Sequence, residues 1–218
     1  MPLSNLKSLT PRQAERRQRI LATAQALVGE LGYDAVTMRM IAQESGTAEK
    51  TLYNIFASKD RLIALAAHDR TASIFVAAFA RQPQAGWPRL REFACTAADS
   101  TLEAPLLSRA LAAVLVDHAD LVGLPEVYED DMGGVVRDCV AQGLLLPDAP
   151  VAGLVRAIRL SVVSSVLFWA QGEIADDELA AYLVRRCAET LLPFASVTGV
   201  AVLATEARDC AARMKTDL

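Results

Sequence analysis

The sequence predicts an all-α chain. Three observations carry that prediction. Apolar residues recur at helical rather than alternating spacing, alanine and leucine dominate a 53% hydrophobic composition with only 6% aromatics, and proline or glycine punctuates the chain at short intervals. The chain shows no internal repeat and no low-complexity tract.

The elements follow in order. Thr10 can cap the first helix, with Pro11 in the first helical position and Gln13 completing a capping box. Ile20, Ala24, Leu27, Val28 and Leu31 share one face, and Gly32 ends the helix, because glycine tolerates the left-handed conformation there. Thr37 caps a second helix whose Met38, Ile41 and Ala42 face inward, and Gly46 breaks it. A third short helix is expected over residues 47–55, and Ser58 caps a long fourth reaching residue 82. After Pro83, helices are expected over 88–100, 105–121, 126–144, 151–171, 176–192 and 196–214.

Composition narrows the function classes. At 218 residues the chain can bury a sizeable core, as one large domain or as a small head on a larger body. Residues 1–60 hold eight Lys/Arg and six Asp/Glu, a balance of +2; the remainder holds 14 and 20, a balance of −6. A basic front on an acidic body suits a DNA-reading head, despite a net charge of −4. Residues 1–10 are short and polar, which predicts no secretory leader. The stretch 160–170 includes three serines and falls short of the roughly 20 residues that span a bilayer, so the expected location is the cytoplasm, without a membrane partner. Cys95, Cys139, Cys187 and Cys210 lie far apart with only His68 and His118 to help, so neither a metal nor a cofactor is expected. No nucleophile–base pair or acid–base pair stands out, and "EDDMGG" at 129–134 lacks metal-diphosphate spacing, so catalysis is not expected.

One stretch concentrates chemistry: "SGTAEKTLYNIFASKDRL", residues 45–62. With Ala48 at zero on a helical wheel, Leu52, Ile55 and Phe56 fall at about 40°, 340° and 80°. Lys50, Tyr53 and Asn54 fall at about 200°, 140° and 240°, on the other side. A cation, a hydroxylated ring and an amide on one exposed face suit phosphates and base edges in a major groove. The second helix, the Ser45-Gly46-Thr47 turn and the third helix together predict a helix-turn-helix. The bland alternative is a surface helix with its polar side out.

The segment "ATAQALVGELGYDAVTMRMIAQESGTAEKTLYNIFASKDRLIALA" resembles the DNA-binding head of tetracycline-repressor-like (TetR family) regulators. The matching positions are Leu31-Gly32-Tyr33, Thr37, Ile41-Ala42, Gly46, Leu52-Tyr53, Phe56, Lys59 and Leu62, about a quarter of the chain. A fainter echo, "FWAQGEIADDELAAYLV" at 168–184, looks like the junction of the last two helices of the family's body. The resemblance implies a DNA-binding domain over 1–60 and an effector-binding and dimerisation domain over 61–218. It also implies a transcriptional repressor that binds a palindromic operator as a homodimer and is released by a small molecule. Thr37, Lys50, Thr51, Tyr53 and Lys59 would contact the DNA backbone, with Thr47, Glu49 and Asn54 near base edges and Arg39 in the same set. Ala48 stands where the family often has a serine, which removes a hydroxyl from that face.

The body offers candidates for a ligand pocket in Trp87, Arg91, His118, Tyr128, Met132, Phe168 and Trp169, although ordinary core packing suits each of them as well. For a dimer interface, Ser161 and Ser165 would let a partner helix approach closely. Leu179, Leu183, Cys187 and Leu191 would add a stripe at i, i+4 spacing, unless packing within the chain consumes it.

Overall fold

The structure, a computed structural model, describes residues 10–117 and 119–214. It contains α1 (Pro11–Leu31), α2 (Met38–Glu44), α3 (Glu49–Phe56), α4 (Lys59–Arg81), α5 (Trp87–Glu103) and α6 (Pro105–Asp117). There follow α7 (Ala119–Val122), α8 (Leu124–Ala141), α9 (Val151–Ala170), α10 (Leu179–Leu191) and α11 (Val197–Arg213). Among the described residues there is no strand, only an isolated bridge between Leu145 and Ala195. The all-α prediction holds, and the expected 105–121 helix is represented by α6 and α7 on either side of residue 118, which lies outside the described residues.

Contacts divide the chain into two compact units, and a single cut near residue 60 does not describe them. One unit takes residues 1–71 and 104–124; the other takes 72–103 and 125–218. The chain leaves the first unit along α4 and returns to it through α6 and α7.

In the first unit, Ile20, Leu21, Ala24 and Val28 of α1 are buried with Met38, Ile41 and Ala42 of α2, Leu52 and Phe56 of α3, and Leu62 and Ile63 of α4. Each large aliphatic or aromatic side chain so buried contributes about 1.5–3 kcal/mol, which holds two helices too short to persist alone. Thr10 and Gln13 form the expected reciprocal capping box on α1. Where α1 meets α6, Gly29 has no side chain to separate them: a Cβ there would lie 3.2 Å from Leu107 Cβ. Gln18 Nε2 donates to Asp69 at 2.8 Å, and Gln25 Nε2 donates to the Ala66 carbonyl at 2.8 Å, tying α1 along α4.

In the second unit the core is built on α10. Its Leu179, Leu183, Cys187 and Leu191 are wholly buried, with α5, α9 and α11 packed around it. Phe75 stacks on Phe93 at 4.3 Å, and Tyr128 meets Phe75 edge-on at 5.1 Å. The C-terminal helix is capped by Ser196, whose Oγ accepts from Gly199 N at 3.0 Å and donates to the Gly143 carbonyl at 2.6 Å. Its second tie is the Arg91–Glu206 pair, at 2.8 Å.

Helices α4 and α9 are long and apolar enough to cross a membrane by length and composition. The 160–170 stretch is part of a longer helix, α9, which begins nine residues earlier and takes in Arg156 and Arg159. Only 28% of the α9 window is buried within the chain, which leaves an apolar face uncovered: Leu160 is 52% exposed and Phe168 42%.

Candidate nucleic-acid interface

The candidate site is built on α2, a glycine turn and α3. Thr37 has extended backbone angles, and its side chain accepts from Met40 N at 3.2 Å, so it starts α2 while remaining exposed. At the other end Gly46 adopts φ 62°, and Thr47 N returns to the Ala42 carbonyl at 2.9 Å, reversing the chain into α3. Ala48 occupies the N-cap of α3 without a side-chain bond, consistent with the missing hydroxyl noted above.

α3 then presents two unlike faces. Leu52 and Phe56 are buried, and the Arg17 guanidinium sits 6.0 Å from the Phe56 ring centroid. Burial lowers the Arg17 pKa, and the nearby Asp69 carboxylate partly opposes that shift. On the other side Glu49, Lys50, Tyr53 and Asn54 are exposed, Tyr53 by 48%, and Thr47 and Thr51 are half-buried. Arg39 of α2 is exposed as well. Ile55, expected inward, is instead 42% exposed. It lies about 80° from the centre of the buried stripe, and a helix this short has no further turn to cover it.

The link from α3 to α4 is tight. Ala57 adopts φ 66°, ψ −42°, and Ser58 N bonds to the Phe56 carbonyl at 2.9 Å, a γ-turn that reverses the chain within three residues. Ser58 Oγ accepts from Arg61 N at 3.2 Å and starts α4.

Lys59 follows directly, and its setting is richer than a phosphate contact requires. Its ammonium donates to the Tyr33 carbonyl at 3.0 Å and stands 4.3 Å from the Tyr33 ring centroid, while the Tyr33 hydroxyl bonds Asp60. Lys59 therefore holds the α1–α2 loop against the start of α4, and one of its three donors is used there. Sequence reasoning also missed Arg19, whose Nε donates to the Ser45 carbonyl at 3.2 Å and anchors the turn that aims α3. Its position within the basic run "RQAERRQR" was the available signal.

Residues 20–66 match the model of the family described as bacterial regulatory proteins, tetR family. This chain carries a tetR-family head. Its tetR head is 47% identical over 51 residues to the HTH-type transcriptional repressor KstR of Rhodococcus jostii strain RHA1, and 45% identical to KstR of Mycolicibacterium smegmatis. Those matches span 23% of this chain and about a quarter of each relative, 24% and 25%. Solved structures extend the likeness of fold over most of the chain. A TetR transcriptional regulator from Rhodococcus sp. RHA1 superposes with a TM-score of 0.67 at 20% identity, covering 83% of this chain and 98% of that one. Thermus thermophilus FadR, a TetR-family repressor in complex with lauroyl-CoA, gives 0.63 at 20% identity, covering 80% and 93%.

The expected pocket residues do not converge as a set. Trp87, Tyr128, Met132 and Trp169 are buried in the core of the second unit. Trp169 Nε1 donates to Asp176 at 2.8 Å, and Arg91 is engaged by Glu206 in a bond that raises its pKa. Phe168 points outward, a correction to its expected ligand role: Trp169, the next residue on α9, takes the inward position. His118 lies outside the described residues. The expected interface set needs a larger correction. Leu179, Leu183, Cys187 and Leu191 each have 0% exposure and Ser165 2%, so packing within one chain consumes them. Ser161 stays half-buried on α9.

Proposed function

We propose that this chain is a transcriptional repressor that reads duplex DNA in the major groove with α3. The observation that carries the reading is the outward set of Lys50, Tyr53 and Asn54 on a helix whose opposite side is anchored by Leu52 and Phe56. A guanidinium, an ammonium, hydroxyls and an amide are the groups that meet phosphates and base edges. In this reading Thr37, Arg39, Lys50, Thr51, Tyr53 and Lys59 hold the backbone, with Thr47, Glu49 and Asn54 nearest the bases. The protein works in the cytoplasm as a homodimer on a palindromic operator, because each head alone covers one half-site.

Release by a small effector completes the proposal. An effector held in the second unit must prefer the state that does not bind DNA, since equal affinity for both states shifts nothing. α4 runs unbroken from Lys59 into that unit, so a tilt of this helix can change the spacing of two heads. In the second unit, the α9 face with Leu160 and Phe168 is an exposed apolar surface suited to a second copy, with Ser161 beside it.

Selection of bound fragments from the source genome, followed by titration of the recovered operator, tests the DNA reading. Tyr53→Ala and Lys50→Ala should each weaken operator binding at two salt concentrations while the thermal midpoint stays at the parental value. Parental affinity in both variants would sink the assignment of α3. A thermal-shift screen against a metabolite panel tests the effector, because a ligand specific for the folded state raises its stability.

A further inference from the structure

α1 carries three arginines whose placement its own stability does not explain. Arg12, Arg16 and Arg19 are all exposed, and at i, i+4 and i+7 they fall within about 60° of one another around the helix. None of the three has a carboxylate at ion-pair distance among the described residues; Glu15 is the one acid beside them on α1. Two features of this arrangement work against the isolated helix. Like charges one turn apart repel, and cations in the opening turns oppose the helix dipole, which favours negative charge there. The first turn of α1 holds no acidic residue to offset this.

The stripe also has a direction. Its last member, Arg19, donates Nε–H to the Ser45 carbonyl at 3.2 Å, in the turn that leads into α3. A guanidinium has five N–H donors in a planar fork, so four remain after that bond. Arg12 and Arg16 continue the line away from the turn along the exposed face of α1. A row of cations without carboxylate partners that begins at the turn into the reading helix matches the chemistry of the phosphate backbone bordering the groove α3 would enter.

We propose that Arg12, Arg16 and Arg19 form a second DNA contact, a phosphate clamp on the strand flanking the α3 half-site. It rests on the reading that the head binds duplex DNA. The clamp adds affinity without sequence information, since phosphates are alike at every step. Arg19 serves both surfaces, fixing the turn with one donor and reaching phosphate with the others.

The test is a salt titration of the full chain on a mixed-sequence duplex of about 30 base pairs, comparing the parent with the double variant Arg12→Gln/Arg16→Gln. Two lost phosphate contacts should make the log–log salt slope shallower by about 1.8 per head, so the affinity gap narrows about twelvefold per head between roughly 50 and 200 mM salt. The ratio of operator to mixed-sequence affinity should stay within twofold, at about the parental value. Arg208→Gln, an exposed arginine of the second unit, should leave the slope unchanged. The thermal midpoint of the double variant should equal or exceed the parent's, which separates lost contact from lost fold. Identical slopes for parent and double variant would overturn the clamp while leaving the α3 reading intact. Failure of the parent to bind any duplex would overturn that reading first, and the clamp with it.

Discussion

Single residues in the head do two jobs at once, and Lys59 shows why that matters. Its ammonium bonds the Tyr33 carbonyl and faces the Tyr33 ring, so removing the charge should loosen the α1–α2 loop as well as weaken DNA binding. A partly exposed cation–π contact and a charge-assisted hydrogen bond together suggest a loss of about 1–2 kcal/mol for Lys59→Met. Denaturant unfolding measures that directly. A pure phosphate contact would leave the unfolding midpoint unchanged, and that outcome would remove Lys59 from the loop clamp. Tyr33→Phe keeps the ring and the carbonyl and removes only the Asp60 bond, so its cost should be the smaller of the two.

Among the elements, α11 depends on one missing side chain. Gly199 sits in the first turn of α11, where a Cβ would drive into the carbonyl of Leu144. The backbone can approach this closely because Ser196 N bonds the Leu144 carbonyl at 3.0 Å and Leu146 N bonds the Phe194 carbonyl at 2.8 Å. Helix propensity favours alanine over glycine by up to about 1 kcal/mol, yet Gly199→Ala should destabilise by about 1–3 kcal/mol through overpacking. Gly134, inside α8, has open space where its Cβ would go, so Gly134→Ala should be neutral or stabilising by up to about 1 kcal/mol. Opposite signs for the two substitutions in chemical denaturation would support this packing of α11. A stabilised Gly199→Ala would contradict it.

At the scale of the whole molecule the question is which surface a second copy can use. Leu183 is sealed inside one chain, so Leu183→Asp should unfold the protein rather than split a dimer. The loss should reach at least about 2–5 kcal/mol from the missing leucine, before the carboxylate's own burial is counted. Leu160→Asp and Phe168→Asp lie on the uncovered face of α9 and should leave each chain folded while halving the mass seen by light scattering. A folded, monomeric Leu183→Asp would restore α10 as the interface. Dimeric Leu160→Asp and Phe168→Asp would place the interface elsewhere. The thiols belong to this interior as well: burial pushes Cys139 and Cys187 up to about 12, so both remain protonated thiols at neutral pH.

Local chemistry was enough to read the helices, the caps at Thr10, Thr37 and Ser58, the glycine reversals at Gly32 and Gly46, and the outward face of α3. Each rests on interactions within a few residues: a side-chain oxygen meeting a free amide, a residue tolerating positive φ, or a 3.6-residue period sorting polar from apolar. The limit was reached wherever several elements compete for one face. Ile55 and Leu183 both sit at apolar positions on amphipathic helices, yet one is open and the other sealed. Periodicity states that a stripe exists; it does not state how many neighbours arrive to cover it. α5, α9 and α11 all pack on α10, whereas α9 keeps an uncovered side. Lys59 and Arg19 were legible as cations, but their bonds to Tyr33 and Ser45 cross 26 residues of sequence each. Partners so distant are brought together only by the packing of α1, α2 and α4, and that packing belongs to the tertiary structure.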